Sequence, residues 1–358
     1  MGRPLLLVTA RVLDRIPQIS EGKYPRIEDL LVGELLRADL LDYTYYDSGI
    51  KRRLARTVEQ KMRLDWGIAY AGMSRSDSGV VISTSQKVGI PFWFLKRLLR
   101  RRIPHVMFLK GLTAAQVKLF ARTRILQEAA ALIVLIKHER DLLVNHFGID
   151  ASRVYWIPKS VDHCFFYPRG SRTEDSILSV GWTGRDFSVL FSALWGVSIP
   201  LVLAAGTRYY STQGLFGSTN VPSNLTVVSN LALTELREYY DRCRFVVVSL
   251  KQATMRLGNR DSVCLALGGS TVITEAMAMG KAVVATGVPG MEDYVVHGET
   301  GLLVEPENPE DLRQAIRLLW DNPELAAEMG RKGRQKIEEE MNIDAHSRKW
   351  AEIISMSQ

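Results

Sequence analysis

Short apolar runs alternate with helix-length segments along almost the whole chain, and that alternation restricts it to α/β architectures. LLLVTA (5–10), GVVIST (79–84), HVMFLKG (105–111), ALIVLI (131–136) and RVYWIP (153–158) read as strands. Between them, residues 26–41, the run VGIPFWFLKRLLRRR, residues 113–128 and HERDLLVNHFGI read as helices, the last stopping at Gly148. LLDYTYY reads as a further strand. Strand and helix in strict series imply βαβ units and a mainly parallel sheet. PRGSRTED (168–175) is polar, carries Pro and Gly, and reads as a linker. A second series follows: SILSVG (176–181), LTVVSN (225–230), a helix at 234–243, FVVVSL (245–250), a helix after Ser270, AVVAT (282–286), and helices after Pro309 and Pro323. Asn308-Pro309-Glu310 and Asn322-Pro323-Glu324 set Pro early in a helix with an acid in its first turn. Two Rossmann-like lobes result, expected at 1–170 and 171–344. The length of 358 residues fits two domains.

Phe187 to Thr207 is a charge-free stretch of 21 residues, long enough to span a bilayer. Gly196 and Pro200 interrupt it, and Phe187, Leu190, Phe191 and Leu194 recur at helical spacing. It therefore reads as helix, turn and strand. The apolar run after Met1-Gly2-Arg3-Pro4 is short and has no cleavage site, so no secretory signal is expected. Three scattered cysteines exclude a disulfide framework and a Cys-rich zinc site, and suit a reducing, cytoplasmic compartment.

Charge is unevenly spread. Residues 1–170 carry 28 basic and 16 acidic side chains, while 171–358 carry 18 and 23. No acid stands between Asp77 and Glu128, against ten basic residues. Such a block attracts phospholipid headgroups, nucleic acid or phosphorylated substrates, or is simply a solvated basic face. PFWFLKRLLRRR (91–102) mixes aromatic, aliphatic and basic residues. It can lie on an anionic membrane, or be a Rossmann-lobe helix with one buried stripe and one basic edge.

In such sheets ligands bind at loops beyond the carboxyl ends of the strands. Gly268-Gly269-Ser270-Thr271 opens a helix. The glycines let a ligand approach the backbone, Ser270 or Thr271 can cap the helix, and the free N–H groups suit a phosphate. Glu275, four residues after Thr271, can accept from two vicinal ribose hydroxyls, or be a solvated helix acid. Ser179-Val-Gly181-Trp182-Thr-Gly184-Arg185 is a second phosphate-friendly turn, in which Arg185 binds phosphate in bidentate fashion or pairs with a carboxylate. The turns at Gly287–Asp293 and His297–Gly301 read as scaffolding.

ITEAMAMGKAVVATGVPGMEDYVVHGETGLLVEPENPEDLRQAI resembles the nucleotide-sugar half of GT-B glycosyltransferases. The group is the large, mostly retaining family of bacterial mannosyltransferases and sucrose synthase. GIDASRVYWIPKSVDHCFFYP is similar to that family's end of the first domain, and SVGWTGRDF to its first donor-domain strand and phosphate loop. The resemblance implies two Rossmann-like domains with parallel sheets facing across a cleft, the helix at 345–358 packing back on the first. It implies a hexosyltransferase-type enzyme working from a UDP- or GDP-sugar, with retention, no metal and no cofactor. The acceptor is a glycan or a lipid-linked molecule. A peripheral contact with anionic membrane through 87–124 is a candidate, and nucleic acid is not expected. By resemblance Glu275 holds the donor ribose. Arg185, Glu275 and Lys110 are the catalytic candidates. Gly181, Trp182, Arg185, Leu231, Lys251, Gly268, Gly269, Ser270, Thr271 and Glu275 surround the donor, with Arg256 and Arg260 as further cations. The family carries two glutamates here; the first falls on Leu267, so a non-catalytic nucleotide-sugar-binding relative is the alternative. Lys159-Ser160 replace the family's Asn-Gly.

Other classes fit less well. No G-x-G-x-x-G exists for a dehydrogenase, and Gly280-Lys281-Ala lacks the pattern of a P-loop. A nucleotide-sugar epimerase shares the architecture but differs in its C-terminal pattern. Nucleic-acid binding would rest on the basic block alone.

Overall fold

The computed structural model describes residues 2–357 apart from 50–51, 53–55, 58, 60–63, 76–78, 172, 206–220, 253, 258–260 and 265–267. The chain divides into two compact units, Met1–Pro158 with Ile343–Gln358, and Lys159–Asn342.

The first unit holds six strands: β1 (Leu5–Leu7), β2 (Asp39–Leu41), β3 (Val81–Ser83), β4 (His105–Leu109), β5 (Ala131–Val134) and β6 (Val154–Trp156). All pair in parallel, in the order β2-β1-β3-β4-β5-β6. Leu6 faces one apolar cluster with Ile82, Val106 and Ile133, while Leu5 and Leu7 face another with Ile68, Val88 and Phe92. Helices on both faces explain why these strands are apolar without alternation. LLDYTYY is a strand only to Leu41. The buried Asp42 carboxylate then accepts from the N–H groups of Leu13 and Thr44 (both 2.9 Å), which turns Tyr43–Asp47 into a 3-10 helix. The helix Trp66–Ser74 had no clear periodic signal because its buried residues include Ala69, Ala71 and Gly72.

The helix Ile343–Met356 belongs to this first unit. Trp350, Ile353 and Ile354 are buried in the Leu6 cluster, with the Trp350 ring 4.6 Å from that of Phe108. Asp344 accepts from both terminal nitrogens of Arg26 at 2.7 and 3.0 Å, just ahead of the helix Glu28–Leu36.

The second unit has a matching parallel sheet of β7 (Ile177–Val180), β8 (Leu201–Ala204), β9 (Leu225–Val228), β10 (Val246–Val248), β13 (Val283–Thr286) and β14 (Gly301–Val304). Its order is β14-β13-β10-β7-β8-β9. An antiparallel pair, β11 (Thr254–Leu257) and β12 (Asp261–Cys264), stands apart. The charge-free segment folds as read: the helix Phe187–Leu194 buries Phe187, Leu190, Phe191 and Leu194, and β8 follows. Among the described residues no helix is long and apolar enough to cross a membrane.

Residues 159–170, expected with the first lobe, sit in the second unit. Val161 N–H donates to the Met341 carbonyl, and Phe166 packs edge-on to Tyr240. The stretch read as a linker is tied down too: the N–H groups of Arg169 and Ser171 donate to the Asp241 carboxylate at 2.9 and 3.1 Å. Its polar residues mark exposure, not freedom.

Candidate functional site

The strand order of the second unit reverses between β7 and β10. Such a switch point leaves a crevice at the carboxyl ends of two neighbouring strands. The turn after β7, the turn after β10 and the start of the helix Ser270–Ala278 meet there. The first two are stitched together: Asp186 N–H donates to the Ser249 carbonyl and Lys251 N–H to the Gly184 carbonyl (3.0 and 2.9 Å). Asp186 also caps the helix Phe187–Leu194 by accepting from Val189 N–H.

Arg185 folds back into this turn. Its Nε and Nη2 donate to the Val180 carbonyl at 3.0 and 2.8 Å, and Nη1 reaches the Thr183 carbonyl at 3.4 Å. The residue is 6% exposed, and no carboxylate pairs with it among the described residues. Burial pulls its pKa down from the usual arginine value. Among the described residues, its side chain donates only to carbonyl oxygens. Both flanking glycines are needed. Gly181 and Gly269 have φ of +91° and +92°, and a Cβ would stand 3.0 Å from Arg185 Nη2 and 2.8 Å from Val248 Cγ1 respectively.

Gly269 is the N-cap of the helix Ser270–Ala278, and no side chain caps it. The expected cap from Ser270 or Thr271 is absent: Ser270 is buried and Thr271 exposed, and Thr271 gives only its carbonyl, to Thr274 Oγ1. Among the described residues, no side chain accepts from the first-turn N–H groups.

Glu275 lies further along this helix. Tyr240 Oη donates to its Oε2 at 2.9 Å. The residue is only partly covered, yet its carboxyl is desolvated enough to be pushed up to about 7, with Tyr240 and the Lys159 charge pulling the other way. Tyr240 is fully buried and its hydroxyl is held well above the usual phenol range, so it stays a donor. Tyr240 and Lys159 escaped sequence reasoning as site residues. YY at 239–240 has a pair of adjacent tyrosines, and only the packing shows which one turns inward. The buried hydroxyls of Ser179 and Ser249, in β7 and after β10, also lack partners among the described residues.

The remaining candidates separate. Gly268 stands beside Arg185, 3.9 Å from Nη1 measured at its would-be Cβ. Trp182 packs on Phe187, ring centres 5.3 Å apart, and so belongs partly to the core. Lys251 is exposed in the turn after β10, without a side-chain partner among the described residues. Leu231 lies beyond β9, two strands from the switch point. Leu267 and Arg260 lie outside the described residues, and Arg256 falls in β11, whose side chains are not described. Lys110 is in the first unit, after β4, its N–H bonded to Gln86 Oε1 (3.0 Å) and its Nζ 5.3 Å from the Phe108 ring centre. Nearby, the buried Glu139 carboxyl accepts from Leu112 N–H and is pushed up to about 7 by burial. The turns at 287–301 are braced largely by local bonds, Glu292 accepting from Gly290 N–H, Thr300 from Val296 N–H and His297 Nδ1 from Leu303 N–H, while Tyr294 Oη accepts from Lys159 N–H at 2.9 Å. Among the described residues, Asp162, His163 and Cys164 alone bring three potential metal ligands together, and none touches Arg185 or Glu275.

Residues 191–336 match the family described as glycosyl transferases group 1. An uncharacterized glycosyltransferase of Methanocaldococcus jannaschii is 24% identical over 65% of this chain and 63% of that protein. A D-inositol 3-phosphate glycosyltransferase of Pseudarthrobacter chlorophenolicus is 26% identical over 58% of this chain and 51% of that protein. The chain thus spans between half and two thirds of these relatives. Among solved structures, sucrose-phosphate synthase of Thermosynechococcus elongatus superposes with a TM-score of 0.67 at 21% identity, covering 81% of this chain and 76% of that one. Anabaena HepE, solved with UDP and glucose, gives 0.65 at 15% identity over 99% of this chain and all of that one.

Proposed function

We propose that this chain, which carries a group 1 glycosyltransferase domain on a GT-B fold, moves a glycosyl group from a nucleoside-diphosphate sugar to an acceptor hydroxyl. One observation carries the reading: a buried arginine with no acidic partner, set between two obligatory glycines at an uncapped helix end. The relatives' names and the neighbour solved with UDP support it.

Breaking a glycosidic phosphate bond leaves charge on the diphosphate and a cationic sugar. Fixed donors aimed at the diphosphate lower that barrier most, because they are already oriented when the charge appears. Arg185 and the first-turn N–H groups at Ser270–Val272 fill this role, with Lys251 at the rim. Glu275 receives the ribose hydroxyls: Tyr240 occupies Oε2, which leaves Oε1 for the nucleoside. Lys110 serves the acceptor side. The positive charge is supplied by the protein, so chelation with EDTA should leave transfer unchanged. We infer retention from the resemblance, and product anomers read by NMR check it. A glycan or a lipid-linked hydroxyl is the proposed acceptor.

The test is thermal unfolding with UDP, GDP, ADP, dTDP and their sugar conjugates. A ligand at a hundredfold excess over Kd stabilises by about 2.7 kcal/mol. One series should raise the transition, and Arg185→Ala should abolish the shift. No shift from folded protein at millimolar ligand would refute the site. A chain that binds donor but neither transfers nor hydrolyses it would instead fit the non-catalytic reading, for which Leu267 is the sequence argument.

A further inference from the structure

The chain after Val161 winds into a tight turn. The Asp162 carbonyl accepts from the N–H groups of Phe165 and Phe166 at 3.1 and 2.9 Å. In an extended strand, neighbouring side chains point to opposite faces. The turn instead gathers Asp162, His163 and Cys164, so that one ligand atom from each lies within 4.8 Å of the other two. The Asp162 carboxylate also accepts from the Cys164 N–H at 3.2 Å, which holds it beside the thiol's backbone. The turn itself is firmly anchored. Val161 N–H donates to the Met341 carbonyl, and Phe165 and Phe166 are buried. Arg334 Nη1 donates to the carbonyls of His163 and Phe166 at 3.0 and 2.8 Å, and Arg237 Nη1 to that of Phe165 at 3.0 Å.

A carboxylate, an imidazole and a thiol are the three side-chain types that bind zinc. His163 Nε2 stands 3.8 Å from Cys164 Sγ. Zinc bonds of about 2.3 Å to sulfur and about 2.0 Å to nitrogen, at a tetrahedral angle, set those two atoms about 3.6 Å apart. Bringing the whole set from 4.8 Å to such spacing takes a side-chain shift of about 1 Å. A thiol–imidazole hydrogen bond explains that pair but not the carboxylate beside it. His163 Nδ1 is buried with no partner among the described residues, an orphan that a neighbouring ion accounts for. Sulfur in the set favours zinc over magnesium or calcium, which take oxygen ligands. One carboxylate and one thiolate balance the charge of a divalent ion. Cys164 is exposed, so the ion has a way in from solvent and a position open to water.

We propose that Asp162, His163 and Cys164 bind one zinc ion, with water as the fourth ligand. The thiol proton passes to solvent as the sulfur–zinc bond forms. The ion clasps the turn that carries Phe166, whose ring packs edge-on to Tyr240. It asks nothing of Arg185 or Glu275, so it stands or falls apart from the transfer reaction.

The test is titration of the full chain, stripped of metal and kept reduced by a phosphine, with Co²⁺ and then Zn²⁺. One equivalent of Co²⁺ should give a sulfur-to-metal charge-transfer band and the visible absorption of a tetrahedral site, and Zn²⁺ should bleach both. Cys164→Ser should lose the sulfur band. Cys164→Ser and His163→Ala should each weaken Zn²⁺ binding about 100-fold or more, beyond the loss typical of an outer-shell partner. Zn²⁺ should raise the thermal transition of the parent and shield Cys164 from alkylation by iodoacetamide, and do neither in His163→Ala. Circular dichroism should be unchanged in both variants, which separates a lost ligand from a lost fold. No sulfur band at one equivalent, or Zn²⁺ affinity indifferent to both variants, overturns the proposal. So does shielding of Cys164 that survives in His163→Ala. A chain that binds zinc but no nucleotide upholds it and refutes the donor site alone.

Discussion

Arg185 and Glu275 carry opposite electrostatic tension, and each gives a prediction. Arg185→Lys keeps a charge but loses the fork that grips the Val180 carbonyl through two nitrogens. Nucleotide affinity should fall by a factor of about ten or more, as expected for a lost charge-assisted hydrogen bond of about 1.5–3 kcal/mol, measured by calorimetry. Glu275 is an acid whose folded pKa, about 7, exceeds its unfolded value. The free protein therefore loses stability as pH rises from about 4.5 to 7, by up to about 3 kcal/mol. Glu275→Gln should be the more stable protein at pH 8 and show no advantage at pH 4. Unfolding curves across that range check it. Ribose hydroxyls prefer the ionised carboxylate, so donor affinity should rise from pH 6 to 8 in the parent and stay flat in Glu275→Gln. Tyr240→Phe removes a hydrogen bond that favours the ionised form, and should move that rise to higher pH.

At the scale of elements, backbone approach matters more than side-chain chemistry. Gly269→Ala forces a left-handed φ on a residue with a Cβ and drives that carbon into Val248. About 1–3 kcal/mol of stability should be lost, and nucleotide binding should suffer further because Arg185 Nη1 lies 3.4 Å from the same carbon. In Gly330→Ala the new carbon overlaps the Gly280 carbonyl, where the helix Pro323–Glu340 crosses the end of the helix Ser270–Ala278. A loss of about 1–3 kcal/mol is expected from overpacking without any change in nucleotide affinity. Much at this scale was legible in sequence. Apolar runs such as ALIV and AVVAT marked parallel strands because burial on both faces leaves no polar positions. The glycine pair at 268–269 and Arg185 were picked out by residue type, and the structure brings them side by side. What sequence could not supply was long-range. Asp42 accepting from Leu13, Asp241 fastening 169–171, and Tyr240 meeting Glu275 all join residues whose partners lie on other turns or other elements. Likewise the cap expected of Ser270 or Thr271 was drawn from propensity, while Gly269 took the position because only it tolerates that turn.

The whole molecule is two units with an interrupted chain order. Trp350→Ala should destabilise the first unit by about 3–5 kcal/mol and leave the nucleotide-stabilised transition of the second in place, so calorimetry with ligand should resolve two transitions. The same helix sets a timetable for biosynthesis. The second unit is continuous in sequence and can close its core as it leaves the ribosome. The first cannot, because Trp350, Ile353 and Ile354 are made only after the whole second unit. At roughly 5–20 residues per second, translation of the intervening unit takes about 10–40 s. Throughout that interval the nascent amino-terminal half presents an open apolar face, including Phe108, to the cell's holdase chaperones. The half synthesised first is the half that finishes folding last.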